Sequence, residues 1–257
     1  MADRYKMGRG MGKLANLSSV VSSDAVSFVY TPPEQAFGAG RVLLLADMVY
    51  PTHPPTGSFD VLATILRGIR RAAPKARIVI VEGNYPEMVQ VYEESDLLDE
   101  EMRVADVESL AMHIYDNPQE NPAKFAQIKA PDYLLDFDCV ISAATFKIID
   151  RDKQPLIAAS THNLYGLLPR EDYSEIYERD ALYAPYDEAL RDVYACLQPY
   201  LHGAVVDLSY MFVSPTLERE TAGNIAVGKV IRGNHLPTVD AAACRVVEEA
   251  VPDYLKL

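Results

Sequence analysis

The sequence predicts an α/β fold: a mostly parallel sheet with helices on both faces, plus a lid or inserted segment. Residues 41–48 and 77–84 are nearly continuous apolar runs, as expected for strands that are covered on both faces. Between them, apolar residues recur at helical spacing over 61–69, and Pro74 ends this pattern. A strand, a helix and a strand of these lengths form a right-handed βαβ unit, which makes the two strands parallel.

The rest of the chain continues the alternation of strands and helices. A weaker first strand is predicted at 26–30, and a helix near 89–102 lies in an acidic, less regular segment. Three more buried strands and two amphipathic helices follow: strands over 138–144, 204–208 and 226–232, and helices over 190–201 and 239–247.

The pattern of elements favours one α/β domain spanning 1–257, because no repeat or low-complexity linker divides the chain. We expect a flexible N-terminal segment over 1–24. The segments 85–136 and 170–188 are predicted to be lids or insertions, and the second of these is rich in tyrosine.

Composition restricts the classes of partner. The chain has 257 residues and a net charge of -13, and such an acidic surface repels nucleic acid. No apolar run approaches the ~20 residues that span a bilayer, and no signal peptide is recognisable, so we expect a cytoplasmic protein with no membrane partner. The three dispersed cysteines argue against disulfides and an iron–sulfur cluster. A homo-oligomer remains an alternative, because the composition does not determine the oligomeric state.

Polar side chains follow the predicted strands at their carboxyl ends, the edge at which open α/β sheets bind ligands. Lysine can hold a carboxylate or phosphate, histidine can move protons near neutral pH, and asparagine can stabilise an oxyanion. Each also has a structural interpretation, such as a solvated loop lysine or an acid that ends a strand. The candidates at these positions are Asp47, His53, Glu82, Asn84, Lys147, Asp207 and Tyr210.

A second candidate segment runs from Ser160 to Pro169, where a histidine and an asparagine precede a glycine and a proline. The glycine and the proline predict an abrupt turn, although the histidine could also cap a helix. The strand ends and this segment together give two sets of predicted site residues. The predicted catalytic residues are His162, Lys147, Asn163 and Asp207. The predicted substrate-binding residues are Asp47, His53, Glu82, Asn84, Tyr165 and Tyr210.

Several common chemistries have no motif in the chain. No GxGxxG follows the first strand, and GxxxxGK[ST], GxSxG and HExxH are absent, so we predict no cofactor. A divalent metal shared by His53 and His162 with Asp47 or Glu82 stays open as an alternative, because nothing in the spacing requires it.

The order of motifs over 41–247 resembles the DUF362 family, α/β proteins of largely unknown activity that are often associated with iron–sulfur clusters. The family pattern Leu-Lys-Asn-Leu-Phe-Gly-Leu-Ile-Pro is matched by residues 161–169, and its late Val-Asp-Ala is matched by 239–241. The looser matches are residues 45–48, 54–60, 145–149, 206–208 and 233–238.

Departures from the family pattern concentrate on charged positions. Two family lysines are replaced by Thr145 and His162, a histidine by Ile149, and the early lysine and asparagine by Leu45 and Asp47. The ferredoxin-type cysteine module of some relatives is absent. The resemblance therefore implies a divergent member with its own substrate, and it makes His162 the residue where its particular chemistry is expected.

These observations lead to three hypotheses of function. The first is a cofactor-independent acid/base enzyme, of isomerase, lyase or cyclase type, acting on a small carbonyl- or carboxylate-bearing compound. In it, His162 is the acid/base, Lys147 and Asn163 stabilise negative charge, and Asp207 or Asp47 orients a partner. The alternatives are a metal- or small-ligand-binding protein without catalysis, and a non-catalytic subunit of a larger complex.

Overall fold

The fold is taken from a computed structural model of the 257-residue chain. The structure describes residues 20–47, 59–82, 92–149, 155–169, 171–172, 186–214 and 223–255. Within these ranges no helix is long and apolar enough to cross a bilayer.

Ten strands and three α-helices have both of their ends within the described residues. The strands are β1 Val21–Asp24, β2 Arg41–Asp47, β3 Arg77–Glu82, β4 Met102–Ala105, β5 Met112–Asp116, β6 Gln127–Pro131, β7 Cys139–Ile149, β8 Leu156–Ala158, β9 Gly203–Val213 and β10 Gly223–Gly233. The helices are α1 Phe59–Ala72, α2 Tyr186–Leu197 and α3 Leu236–Val246.

Eight of these strands form one mixed, mostly parallel sheet. Seven follow the order β1-β10-β9-β7-β2-β3-β4, and β8 pairs with the end of β7. The strands β9, β7, β2, β3 and β4 run parallel, whereas β1, β10 and β8 join through antiparallel pairings. β5 and β6 form a separate antiparallel pair. This topology places the carboxyl ends of β2, β3 and β7 side by side.

Both faces of the sheet are covered, which explains why its central strands are almost entirely apolar. On one face α1 contributes Ile65 to a core with Leu44 of β2. On the other face α2 and α3 contribute Val193 and Val239 to a core with Leu43. The alternation of neighbouring β2 side chains between the two cores follows from the strand period of two. The predicted fold class, with helices on both faces of a mostly parallel sheet, is confirmed.

Several element boundaries differ from the predictions, and three of the differences have a clear structural cause. The first strand is Val21–Asp24 and not 26–30, because Val21–Asp24 supplies the backbone partners for the edge of β10. The predicted helix near 89–102 is wrong at its end, where Met102 begins β4 beside β3. The strand predicted at 138–144 continues to Ile149, because β8 and β9 pair with its second half.

The structure describes only part of the predicted N-terminal segment and of the two predicted lid or insertion segments. Of the N-terminal segment 1–24, residues 1–19 lie outside the described residues and 21–24 form β1. Of 85–136, residues 85–91 lie outside the description, and the remainder contains β4, β5 and β6. Most of 170–188 lies outside it as well. The roles of 85–136 and 170–188 as lids or insertions remain predictions.

Candidate active site

The carboxyl ends of three parallel strands bring charged side chains together. Asp47 is the last residue of β2, Glu82 is the last residue of β3, and Lys147 lies near the end of β7. A short 3-10 helix, His162–Leu167, lies against the same three strands. We use the term edge cluster for Asp47, Glu82, Lys147 and His162.

An ion pair between Lys147 Nζ and Asp47 Oδ2 forms the centre of the edge cluster. The side chains are largely buried, with 9% of Lys147 and 18% of Asp47 exposed. Thr145 Oγ1 donates a hydrogen bond to the backbone oxygen of Asp47, at 3.2 Å, and so ties the end of β2 to β7. Because its strand continues past 144, Lys147 is fixed on the sheet and is not a loop residue.

Glu82 is the most buried acid of the edge cluster, with 2% of its surface exposed. Tyr92 Oη donates to Glu82 Oε2 at 3.1 Å. Burial raises the pKa of Glu82 well above its ordinary value, and the negative charge of Asp47 raises it further. Lys147 and the Tyr92 hydrogen bond act in the opposite direction. The two neighbouring carboxyl groups therefore differ in environment, since Asp47 pairs with Lys147 and Glu82 accepts a hydrogen bond from the phenol of Tyr92.

His162 begins the 3-10 helix and is partly buried. Its ring contacts the ring of Tyr165 edge-on, with 5.5 Å between the centroids and an angle of 78°. Burial lowers the pKa of His162 to about 4; Asp47 opposes this shift and Lys147 adds to it. The imidazole is therefore neutral at neutral pH and can accept a proton.

The shifted pKa of His162 predicts a loss of stability in acid. As the pH falls from 6.5 to about 4, the unfolded chain binds a proton at this histidine that the folded chain does not bind. The full shift corresponds to at most about 3 kcal/mol of unfolding free energy. In the variant His162→Gln this contribution is absent, so its stability should fall less than that of the wild type between neutral pH and pH 4.

Urea unfolding at both pH values measures this difference. The control is His113→Gln, because His113 is exposed on β5 away from the edge cluster. Equal acid-induced losses of stability in the wild type and in His162→Gln would contradict the buried, neutral imidazole.

Asn163 is a buried connector between β2 and β7. Its Nδ2 donates towards Leu45 O at 3.4 Å, Ser142 Oγ at 3.1 Å and Ala143 O at 3.0 Å. Both amide hydrogens are thus directed at the protein, whereas Oδ1 is buried with no hydrogen-bond partner among the described residues. The predicted oxyanion role would use those hydrogens, and in this structure they join the turn to β2 and β7. The catalytic role of Asn163 remains a prediction.

Asp240 of α3 fixes the turn that carries His162 and Asn163. Its carboxylate accepts from Ser160 N at 3.0 Å, from Ser160 Oγ at 2.5 Å and from Thr161 N at 2.7 Å. Burial raises the pKa of Asp240, and these donors oppose the shift. The contacts anchor the turn to α3 directly before the 3-10 helix.

Of the remaining predicted site residues, Tyr165 contacts the edge cluster, and the others lie elsewhere or outside the described residues. Asp207 is buried on β9, two strands from Asp47, and its Oδ1 accepts from Ser209 N at 2.7 Å. Tyr165 is buried against His162, whereas Tyr210 is 45% exposed on β9. His53 and Asn84 lie outside the described residues.

Sequence reasoning missed three residues that support the edge cluster: Tyr92, Ser142 and Asp240. Ser142 Oγ donates to Ser160 O at 2.7 Å and accepts from Asn163, so it joins β7 to the turn. Asp240 could have been found, because an acid within the apolar stripe of the last helix needs buried donors. Tyr92 gave no such signal, because its partner is ten residues away in sequence.

A metal site needs several ligand side chains close together. Among the described residues, no group of three or more His, Cys, Asp or Glu side chains is arranged to hold a metal ion. Cys139, Cys196 and Cys244 are buried as free thiols. The alternative metal site includes His53, which lies outside the described ranges, so the absence of a cofactor remains a prediction.

The fold and the edge cluster define an α/β protein with charged groups at the carboxyl edge of a parallel sheet. The chain belongs to the family described as "Domain of unknown function (DUF362)", which matches residues 42–245. The resemblance inferred from the motifs is thereby confirmed. No curated protein matches the sequence.

A solved structure with a similar fold is the lactate racemase apoprotein from Thermoanaerobacterium thermosaccharolyticum. The likeness has a TM-score of 0.54 at 12% sequence identity, and it covers 87% of this chain and 52% of the racemase. The chain thus spans about half the length of that protein. At this identity the likeness shows the α/β fold alone.

Proposed function

We propose that this protein is an enzyme that moves a proton on a small carbonyl- or carboxylate-bearing compound, in a reaction of isomerase, lyase or cyclase type. The proposal rests on one observation: Asp47, Glu82, Lys147 and His162 meet at the edge where α/β sheets bind ligands. They combine a neutral base, an ammonium group and two carboxyl groups in different environments, which suits acid/base chemistry.

In this proposal His162 is the base. Its neutral imidazole takes a proton from a carbon next to a carbonyl group, and the electron pair of the C–H bond moves onto the carbonyl oxygen. Lys147 stabilises that negative charge, and Asp47 orients the lysine through the ion pair. The proton then returns to carbon.

The low pKa of His162 belongs to the ligand-free site. A bound anion adds a negative charge beside the imidazole and raises its pKa, as Asp47 already does. A general base is most effective when its pKa lies near the working pH, so an anionic ligand would activate His162. A small carboxylate is therefore the favoured ligand, and the lactate named for the structural neighbour is of that class.

Hydrogen–deuterium exchange tests the proposal without a known substrate. We would incubate the protein in heavy water with a panel of small 2-oxo and 2-hydroxy acids and follow exchange at the carbon next to the functional group by NMR. We expect the wild type to accelerate exchange in at least one compound, and His162→Gln to be slower by about a hundredfold or more. His113→Gln should keep the wild-type rate.

Two results would contradict the proposal. An undiminished exchange rate in His162→Gln would show that His162 is not the base. No acceleration of exchange in any panel compound contradicts the substrate class. If ligand-observed NMR shows binding without exchange, the non-catalytic ligand-binding alternative is favoured.

A further inference from the structure

The two oxygens of the Glu82 carboxyl group have different surroundings. Oε2 accepts the hydrogen bond from Tyr92, whereas Oε1 is buried and has no hydrogen-bond partner among the described residues. An unpaired oxygen on a side chain that is 2% exposed is costly unless a ligand satisfies it. Oε1 lies at the end of β3, beside β2 and within the edge cluster.

The one lysine beside Glu82 and Asp47 does not compensate the charge of both acids if both are ionised. The charged groups that face it are Asp47 from β2 and Lys147 from β7, with the phenol of Tyr92 as the third neighbour. The ammonium of Lys147 is paired with Asp47, so an ionised Glu82 would be a second buried carboxylate beside the first. Neighbouring acids of this kind share their protons unequally, and the more buried one stays neutral.

We infer that Glu82 is a neutral carboxylic acid whose Oε1–H donates a hydrogen bond to the neutral carbonyl oxygen of the ligand. Because Tyr92 occupies Oε2 as a donor, the acid proton is placed on Oε1, the oxygen that has no hydrogen-bond partner among the described residues. The inference deepens the proposed function and rests on it, since it assigns the ligand of that same site.

This donor selects the class of ligand. A carbonyl oxygen accepts hydrogen bonds and cannot donate them, so it matches the Oε1–H group. A 2-oxo acid is the simplest compound that offers Glu82 a carbonyl oxygen and also carries the carboxylate of the proposed ligand class. A saturated carboxylic acid of the same size carries the carboxylate without the carbonyl oxygen.

The protonation state can be measured in the absence of any ligand. The infrared difference spectrum of the wild type minus Glu82→Gln at neutral pH should contain the carbonyl-stretch band of one protonated carboxylic acid. Glu101→Gln, at an exposed position, is the matched control and should lack that band in the same subtraction. A carboxylate band in place of the protonated band would overturn the inference.

Ligand recognition is measured with pyruvate as the probe and propionate as its matched control. Wild-type protein should bind pyruvate more tightly than propionate by about tenfold, the value of one hydrogen bond to a polar group. Glu82→Gln keeps an uncharged donor and should keep this preference, whereas Glu82→Ala should lose it. Equal binding of the two probes by the wild type would overturn the ligand assignment.

The two proposals can fail separately. A protonated Glu82 and a preference for pyruvate, without any proton exchange, would retain the recognition role and reject the catalytic function. Exchange that depends on His162, with an ionised Glu82, would retain the catalytic function and reject the inference. Circular dichroism of each variant verifies that the fold is intact.

Discussion

Asp240→Ala should lower the free energy of unfolding by roughly 3–5 kcal/mol, because it leaves buried donors of Ser160 and Thr161 without an acceptor. The two backbone N–H groups lie in the turn between β8 and the 3-10 helix, where no strand partner replaces the carboxylate. Asp240→Asn keeps one acceptor oxygen and should cost less. Urea unfolding followed by circular dichroism measures all three proteins.

The control for this prediction is Asp136→Ala. Asp136 forms an exposed ion pair with Arg41, so its removal should cost less than about 1 kcal/mol. If Asp240→Ala were as mild as this control, the turn before His162 would be held by something other than α3. A large loss in Asp240→Ala would show that the contacts of α3 with the turn contribute strongly to the stability of the fold.

Lys147→Met should have the second large effect. It removes the cation from a largely buried pair and leaves Asp47 beside Glu82, at a cost of about 3 kcal/mol. The double variant Lys147→Met/Asp47→Asn removes both charges and should recover much of this loss. Urea unfolding of the wild type, both single variants and the double variant gives the coupling energy of the pair.

The pKa of His162 provides a second measurement on the single variants of this pair. Lys147 lowers the pKa of this histidine, so Lys147→Met should raise it above about 4, while burial, the largest cause of the shift, remains. Asp47 raises the pKa, so Asp47→Asn should shift it in the opposite direction. NMR titration of the imidazole measures both shifts. An unchanged His162 pKa in both variants would show that the ion pair and the histidine do not share a site.

Much of the fold could be predicted because burial leaves a strong signal in the sequence. The apolar run at the second strand and the helical stripe of α1 are direct consequences of a sheet covered on both faces. The first strand was misplaced because Val21–Asp24 is an exposed edge strand with no apolar pattern. The length of β7 was missed because its second half depends on β8 and β9, which are distant in sequence.

The candidate site was predictable in location and less so in roles. The strand-end rule selected Asp47, Glu82 and Lys147, and the local pattern of the segment Ser160–Pro169 selected His162 and Asn163. Neither pattern could indicate that the amide hydrogens of Asn163 are directed at strand carbonyls. Such roles depend on hydrogen bonds between residues that lie far apart in the chain.

The sequence by itself determined the fold class, the family and the edge of the sheet at which charged groups gather, because hydrophobic periodicity and local motifs encode them. Only the tertiary structure decided that Lys147 pairs with Asp47, that Tyr92 occupies one oxygen of Glu82, and that Asp240 holds the turn. The physical reason is that ion pairs and pKa shifts depend on burial and on distances through space, and neither quantity is set by spacing along the chain.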